Sequence, residues 1–221
     1  MLRRVKTDTG YRNVCHECRT KSDICSFCKK AGNGDVELLR DGRRVCDPCK
    51  GERIFRQDQL DRVYAKVKDF LRDHPAGLLL SDPPPLYLAD KDEILTKQNE
   101  HGRVVADLSG FYSPAMPEEI YILSGALPWR CASTVVHEYT HAWQSRNCPP
   151  QDRALKEGFA SWVQYHFLIS INLPREPERL TRRSNPDYGE SLKKLLEMED
   201  ELGPEGVIQY AKTAQALPSK P

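Results

Sequence analysis

From about Glu52 the chain turns periodic. Leu60, Val63, Val67 and Phe70 recur at three- and four-residue steps, with Ile54 six residues ahead and charged residues between them, which predicts an amphipathic helix from about Glu52 to Leu71. "DHPAG" ends it, because a proline and a glycine close together cannot continue a helix. Residues 78–117 carry "DPPP" and scattered Gly and Pro, and are expected to be irregular, with short strands at "LYLA" and "RVVADL". "EEIYIL" (118–123) alternates β-branched, aromatic and aliphatic residues before Ser124-Gly125 and predicts a clearer strand. Pro128 suits the first turn of a helix reaching about Arg146. "NCPPQD" breaks it, and Asp152 is placed to cap a further helix over roughly 153–171. Two last helices are expected over 188–202 and 204–216. The fold class is therefore α+β: mainly helical with a small antiparallel sheet. The expected units are a module over 1–51, a connecting helix over 52–77 and a main domain over 78–221.

Residues 11–50 have a different character, with "CHEC", "CSFC" and "CDPC" in quick succession. Cys25-x2-Cys28 and Cys46-x2-Cys49, seventeen residues apart, have the spacing of two knuckles around a closed structural zinc ion. Such a site stabilises a segment too short to own a core. "VELLRDGRRVC" between the knuckles predicts a hairpin with Asp41-Gly42 at its turn. Cys15 and Cys18 supply half of a second site. A shared site, a missing partner pair and plain thiols all stay open for them, and His16 is too close in sequence to be an easy third ligand. Cys131 and Cys148 stand alone and are expected as small buried apolar residues.

The chemistry concentrates in "TVVHEYTHAW", residues 134–143. On a helix, His137 and His141 share a face about 5.4 Å apart in rise, so both imidazoles can reach one zinc ion. Glu138 points to the side where an activated water would lie and fits a general base. Average residue usage gives such a pentapeptide by chance on the order of one time in a hundred chains of this length. A catalytic zinc needs a third protein ligand and an open position. Glu157 stands sixteen residues after His141, in "ALKEGFASWVQYHF". If the helices on either side of "NCPPQD" fold back antiparallel, the two residues lie roughly 9 and 7.5 Å from the bend, hence level with each other. Gly158 would let the backbones approach. The plainer reading of Glu157 is a first-turn glutamate favoured by the helix dipole. A donor for the oxyanion is also expected, with Tyr165, His166 and Tyr188 as candidates and Tyr188 the leading one. The strand 118–123 is a candidate to pair with an extended peptide substrate.

Composition narrows the partners. Lys and Arg total 33 against 32 for Asp and Glu, so no bulk field draws in nucleic acid or an anionic membrane. No apolar run is long enough to span a bilayer, and no secretion signal precedes the eight cysteines, so a reducing, cytoplasmic setting is expected. A protein or peptide substrate is the expected partner. The other reading is a binding adaptor with an idle peptidase fold, against which Glu138 argues, because an idle site needs no base.

Taken together these stretches resemble the DA-one family, LIM-domain zinc peptidases known as ubiquitin-activated growth regulators of plants, with shorter bacterial relatives. "CSFCKKAGNGDVELLRDGRRVCDPC" is similar to the family's last LIM-like module, and "EIYILSGALPWRCASTVVHEYTHAW" and "LKEGFASW" to its peptidase core. "DYGESLKKLLEMEDELGPEGVIQYAK" resembles its C-terminal helices. The resemblance implies a gluzincin-like, zincin-fold peptidase after a LIM-like module, with one catalytic and at least one structural zinc. His137, His141 and Glu157 would be ligands and Glu138 the base. Two departures bear on regulation and on the site. The ubiquitin-interacting segments and fuller LIM repeats of the plant members have no counterpart here, so a regulatory protein partner stays open while ubiquitin is a weak candidate. Lys156 stands where the family commonly has a second acidic residue.

Overall fold

A computed structural model describes residues 3–7, 10–14, 24–30, 36–74, 77–100, 109–173 and 175–218. Cys15, His16, Cys18 and the expected strand "RVVADL" lie outside the described residues. The chain is mixed and mainly helical with small sheets, consistent with an α+β class. Strands β1 (Arg3–Thr7) and β2 (Gly10–Val14) form an antiparallel hairpin. Strands β3 (Val36–Leu38) and β4 (Arg44–Cys46) form the expected second hairpin, with Asp41-Gly42 at its turn. Helix α1 (Asp47–Glu52) follows directly, and α2 (Gln57–Asp73) only after a short extended stretch. The expected single helix from Glu52 to Leu71 is thus interrupted. At Arg56 the backbone is extended, and the Gln59 side chain accepts from its N–H at 3.0 Å, starting α2 afresh.

The stretch 78–117 is more ordered than its Pro and Gly content implies. It contains β5 (Leu86–Ala89), α3 (Lys91–Glu100) and β6 (Gly110–Ser113), and β7 (Glu119–Leu123) completes a three-stranded sheet in the order β5-β7-β6. The sheet is mixed rather than antiparallel, since β5 runs parallel to β7 through the α3 crossover and only β6 is antiparallel. The placement of β7 overturns a second expectation. With strands on both sides it has no edge to offer a peptide, and among the described residues β5 and β6 are the edge strands instead.

Helices α4 (Pro128–Asn147) and α5 (Arg153–Ser170) carry the centre of the core. Pro149 and Pro150 prevent α4 from continuing, and the Asp152 side chain accepts from Leu155 N–H at 2.7 Å, capping α5 as its position suggested. A short α6 (Arg175–Thr181) leads to α7 (Gly189–Thr213), which is broken at Gly203-Pro204, where two separate helices were expected. Trp143, Phe159 and Trp162 stack in sequence between the helices, with ring centroids 5.6 Å apart at each step. Val135, Val136, Leu155, Val163, Leu192 and Leu195 are wholly buried around them. Each such aliphatic side chain contributes about 1.5–3 kcal/mol. Cys131 is buried as expected, while Cys148 is half-buried against the same core.

Gly158 is the closest point of this packing. A methyl group added there would lie 2.7 Å from Ser191 Cβ on α7 and 3.3 Å from its carbonyl carbon. Gly158→Ala should therefore push α5 from α7 and destabilise the chain by about 1–3 kcal/mol. Thermal denaturation should show a midpoint lowered by roughly 2–10 °C.

Candidate metal centre

The helical hairpin brings the three sequence candidates to one point. His137 Nε2 lies 3.2 Å and His141 Nε2 3.4 Å from the same oxygen, Oε2 of Glu157. All three ligand atoms fall within 4.8 Å of one another. Both imidazoles are buried, and Glu157 is nearly so. Burial works against ionisation of Glu157, but its contacts with the two imidazoles outweigh it and hold the carboxyl well below its ordinary range.

His141 is oriented by a chain of amides that little in the sequence foretells. Gln144 Nε2 donates to the Lys156 carbonyl at 3.1 Å and to Gln151 Oε1 at 2.9 Å. A backbone carbonyl can only accept, so the amide orientation of Gln144 is fixed and its Oε1 is an acceptor. That oxygen lies 3.0 Å from His141 Nδ1, which must therefore carry a proton. In the neutral imidazole the other nitrogen, Nε2, is then a bare lone pair aimed at a carboxylate oxygen. A proton on Nε2 lets it pair with the Glu157 carboxylate; without one, nitrogen and oxygen are two acceptors in a buried space that a shared cation can join. Gln151 anchors the chain by donating to the Ala211 carbonyl of α7 at 2.7 Å. The one sequence signal for Gln144 was its position three residues after His141, on the same helix face.

Glu138 sits beside the ligand set rather than in it. Its Oε2 accepts the backbone N–H of Tyr112 at 3.0 Å, so β6 lies directly against this carboxylate. Gly110 allows that approach, since a side chain there would meet Thr134 Cγ2 at 2.6 Å and Glu138 Cγ at 3.0 Å. Desolvation raises the Glu138 pKa, as does the nearby Glu157 charge. The two imidazoles and the Tyr112 N–H pull the other way without cancelling the rise. Tyr188, at the start of α7, stacks on His137 with centroids 6.0 Å apart and rings 20° from parallel. Burial, then the charge of Glu157 and a hydrogen bond with it, push the phenol up to about 12, so the hydroxyl keeps its proton and can donate. The other two donor candidates are elsewhere. His166 pairs with Glu199 at 2.9 Å against Trp162, and Tyr165 packs on the core. Neither lines the narrow pocket of about 70 Å³ above the ligands, which Tyr188 and Arg183 do line.

The second group is the four cysteines Cys25, Cys28, Cys46 and Cys49, whose sulfurs also lie within 4.8 Å of one another. Cys25 is drawn down to about 6: burial opposes ionisation, but backbone N–H groups of Cys28, Cys46 and Phe27 outweigh it. Cys46 is pushed up to about 12 by burial and by the neighbouring thiols. One thiolate is thus favoured over several, and four sulfurs this close could share a cation. The module is fastened to the sheet. Arg43, held by Asp41, donates to the Ser124 carbonyl at 2.7 Å and to Ser124 Oγ at 2.9 Å. Ile54 and the Gly125–Ala126 segment exchange backbone hydrogen bonds of 2.6 and 3.0 Å just before α4.

Comparison of the chain with protein-family models, with curated proteins and with solved structures gives no match. Among the described residues, no helix is long and apolar enough to cross a membrane.

Metal analysis of the purified chain should find two equivalents of a divalent ion, one for each group. Glu157→Ala should lose one and keep the other. Gln144→Leu should retain both but weaken the histidine site by about 10–100-fold in chelator competition. Unaltered affinity in Gln144→Leu would refute the orienting role.

Proposed function

We propose that the chain is a zinc-dependent peptidase of gluzincin type: a zincin-like domain preceded by a LIM-like structural zinc module, as in the DA-one family it resembles. The observation that carries this reading is the position of Glu138. A buried carboxylate with a raised pKa lies beside, not within, a two-imidazole, one-carboxylate ligand set. Three nitrogen and oxygen donors with a position left open are the ligand pattern of catalytic rather than structural zinc, while four thiolates are the structural pattern. When bound at the histidine site, zinc would supply Lewis acidity, polarising a peptide carbonyl and acidifying a water molecule.

The remaining work falls to the chain's own residues. Glu138 would take a proton from a water molecule beside it and pass it to the departing amine, and its raised pKa suits both halves of the transfer. The Tyr112 N–H orients the carboxylate for it. Tyr188, protonated and stacked beside His137, donates to the oxygen on which charge develops as the carbonyl is attacked. Gln144 holds His141 in the tautomer that presents Nε2. An extended substrate joins a sheet only at an edge, and β6 is an edge strand whose outer side meets Glu138, so the peptide would lie along β6.

Glu138→Gln should abolish cleavage of denatured protein substrates, by on the order of a thousandfold or more, while leaving the zinc content unchanged. Tyr188→Phe should lower kcat by about 10–1000-fold with little change in KM. Terminus-resolved proteomics on incubated lysate reads both. Undiminished cleavage in Glu138→Gln would remove the base, and an unchanged cellular role in that variant would favour an adaptor.

A further inference from the structure

A second cleft, of about 710 Å³, opens from the metal pocket toward the cysteine module and shares Ser109, Thr134, Gln164 and Arg183 with it. Among the described residues, Arg43, Arg53, Arg130, Arg179 and Arg183 line this cleft against a single acid, Glu176. Two of these arginines are already matched: Arg43 pairs with Asp41 at 2.6 Å and Arg179 with Glu176 at 2.7 Å. Three are not. Arg53 gives one nitrogen to the Gly125 carbonyl at 3.1 Å and leaves its buried Nε without a partner. Arg130 lies over the Trp129 ring at 5.0 Å, and Arg183 over the Tyr188 ring at 5.5 Å. No carboxylate pairs with either among the described residues.

Aromatic stacking fixes the plane of a guanidinium while leaving its N–H edge open, and that edge matches a carboxylate in two-point contact. A concave, partly dry wall concentrates the field of such groups. In a chain with a net charge of only +1, five arginines against one acid make the cleft locally basic. A nucleic acid would ask for a longer basic track with aromatic platforms for its bases. The lining of this cleft is instead short and includes Phe27 and Arg43 of the module. It begins at Ser109, just before the strand along which the substrate would lie.

We propose that this arginine cleft is a specificity subsite for acidic side chains, so that the preferred substrates are protein segments carrying Asp or Glu next to the residues seated at the metal. The proposal rests on the peptidase reading for the word substrate, but the subsite itself is testable by binding alone.

Zinc-loaded full-length protein carrying Glu138→Gln would be titrated with fluorescent ten-residue peptides that differ only in Glu, Ala or Lys at scanned positions. Glu should tighten binding over Ala by roughly ten- to a hundredfold at its best position, and Lys should weaken it. Adding Arg130→Glu, an exposed change that spares the core, should erase or invert that order. Arg183→Gln should flatten it independently. Equal binding of Glu and Ala peptides overturns the proposal, as does a preference that survives both arginine changes. Tighter binding of a single-stranded oligonucleotide than of the best Glu peptide overturns it in favour of nucleic acid. Cleavage of the same peptides by the unaltered protein is read separately. Binding preference without cleavage counts against the peptidase reading, and cleavage without preference counts against the subsite.

Discussion

Electrostatic crowding at one point governs the rest of the molecule. Two imidazole nitrogens and a carboxylate oxygen are packed within 4.8 Å in a buried space, and the Gln144 amide holds the proton on His141 Nδ1 so that Nε2 faces the carboxylate. Such a cluster needs positive charge at its centre, a proton on an imidazole or a metal cation, because there is little water to offset the carboxylate. The surrounding fold is arranged to keep it in place. Stacked Trp143, Phe159 and Trp162 lock α4 to α5, Gly158 lets α7 close over them, and the Gln144–Gln151 chain ties the bend to α7.

The cysteine module belongs to the same construction. The Arg43 contacts with Ser124 and the Ile54 exchange with Gly125 and Ala126 fasten it to the turn between β7 and α4, immediately ahead of the helix that carries His137, Glu138 and His141. A cation among the four sulfurs would therefore stiffen the start of that helix as well as the module. The wall that the module presents on its other side forms part of the arginine cleft.

What the sequence revealed depended on how local the signal was. The pentapeptide, each cysteine knuckle and the Asp152 cap rest on spacing within one or two turns, and the structure brings the ligand candidates of each group within 4.8 Å of one another. Glu157 needed one long-range assumption, the fold-back at Pro149-Pro150, and composition supplied it. Pairing partners were harder. Nothing in "EIYIL" says that strands lie on both of its sides, and "GFYS" is too short, with a leading glycine, to read as a strand although it abuts the base. His166 was a reasonable donor candidate by type but faces the opposite side of α5, toward Glu199. Gln144 and Arg183 were missed because glutamine and arginine on helices and loops are ordinary in sequence, and only their neighbours give them a task.

The most direct test of the shared ion is anomalous diffraction from crystals of the metal-loaded protein, recorded on both sides of the zinc absorption edge. The account predicts a peak about 2.0–2.2 Å from His137 Nε2, His141 Nε2 and a Glu157 oxygen, besides the one among the cysteine sulfurs. A peak at the sulfurs alone, with Glu157 turned away from the two imidazoles, would contradict it.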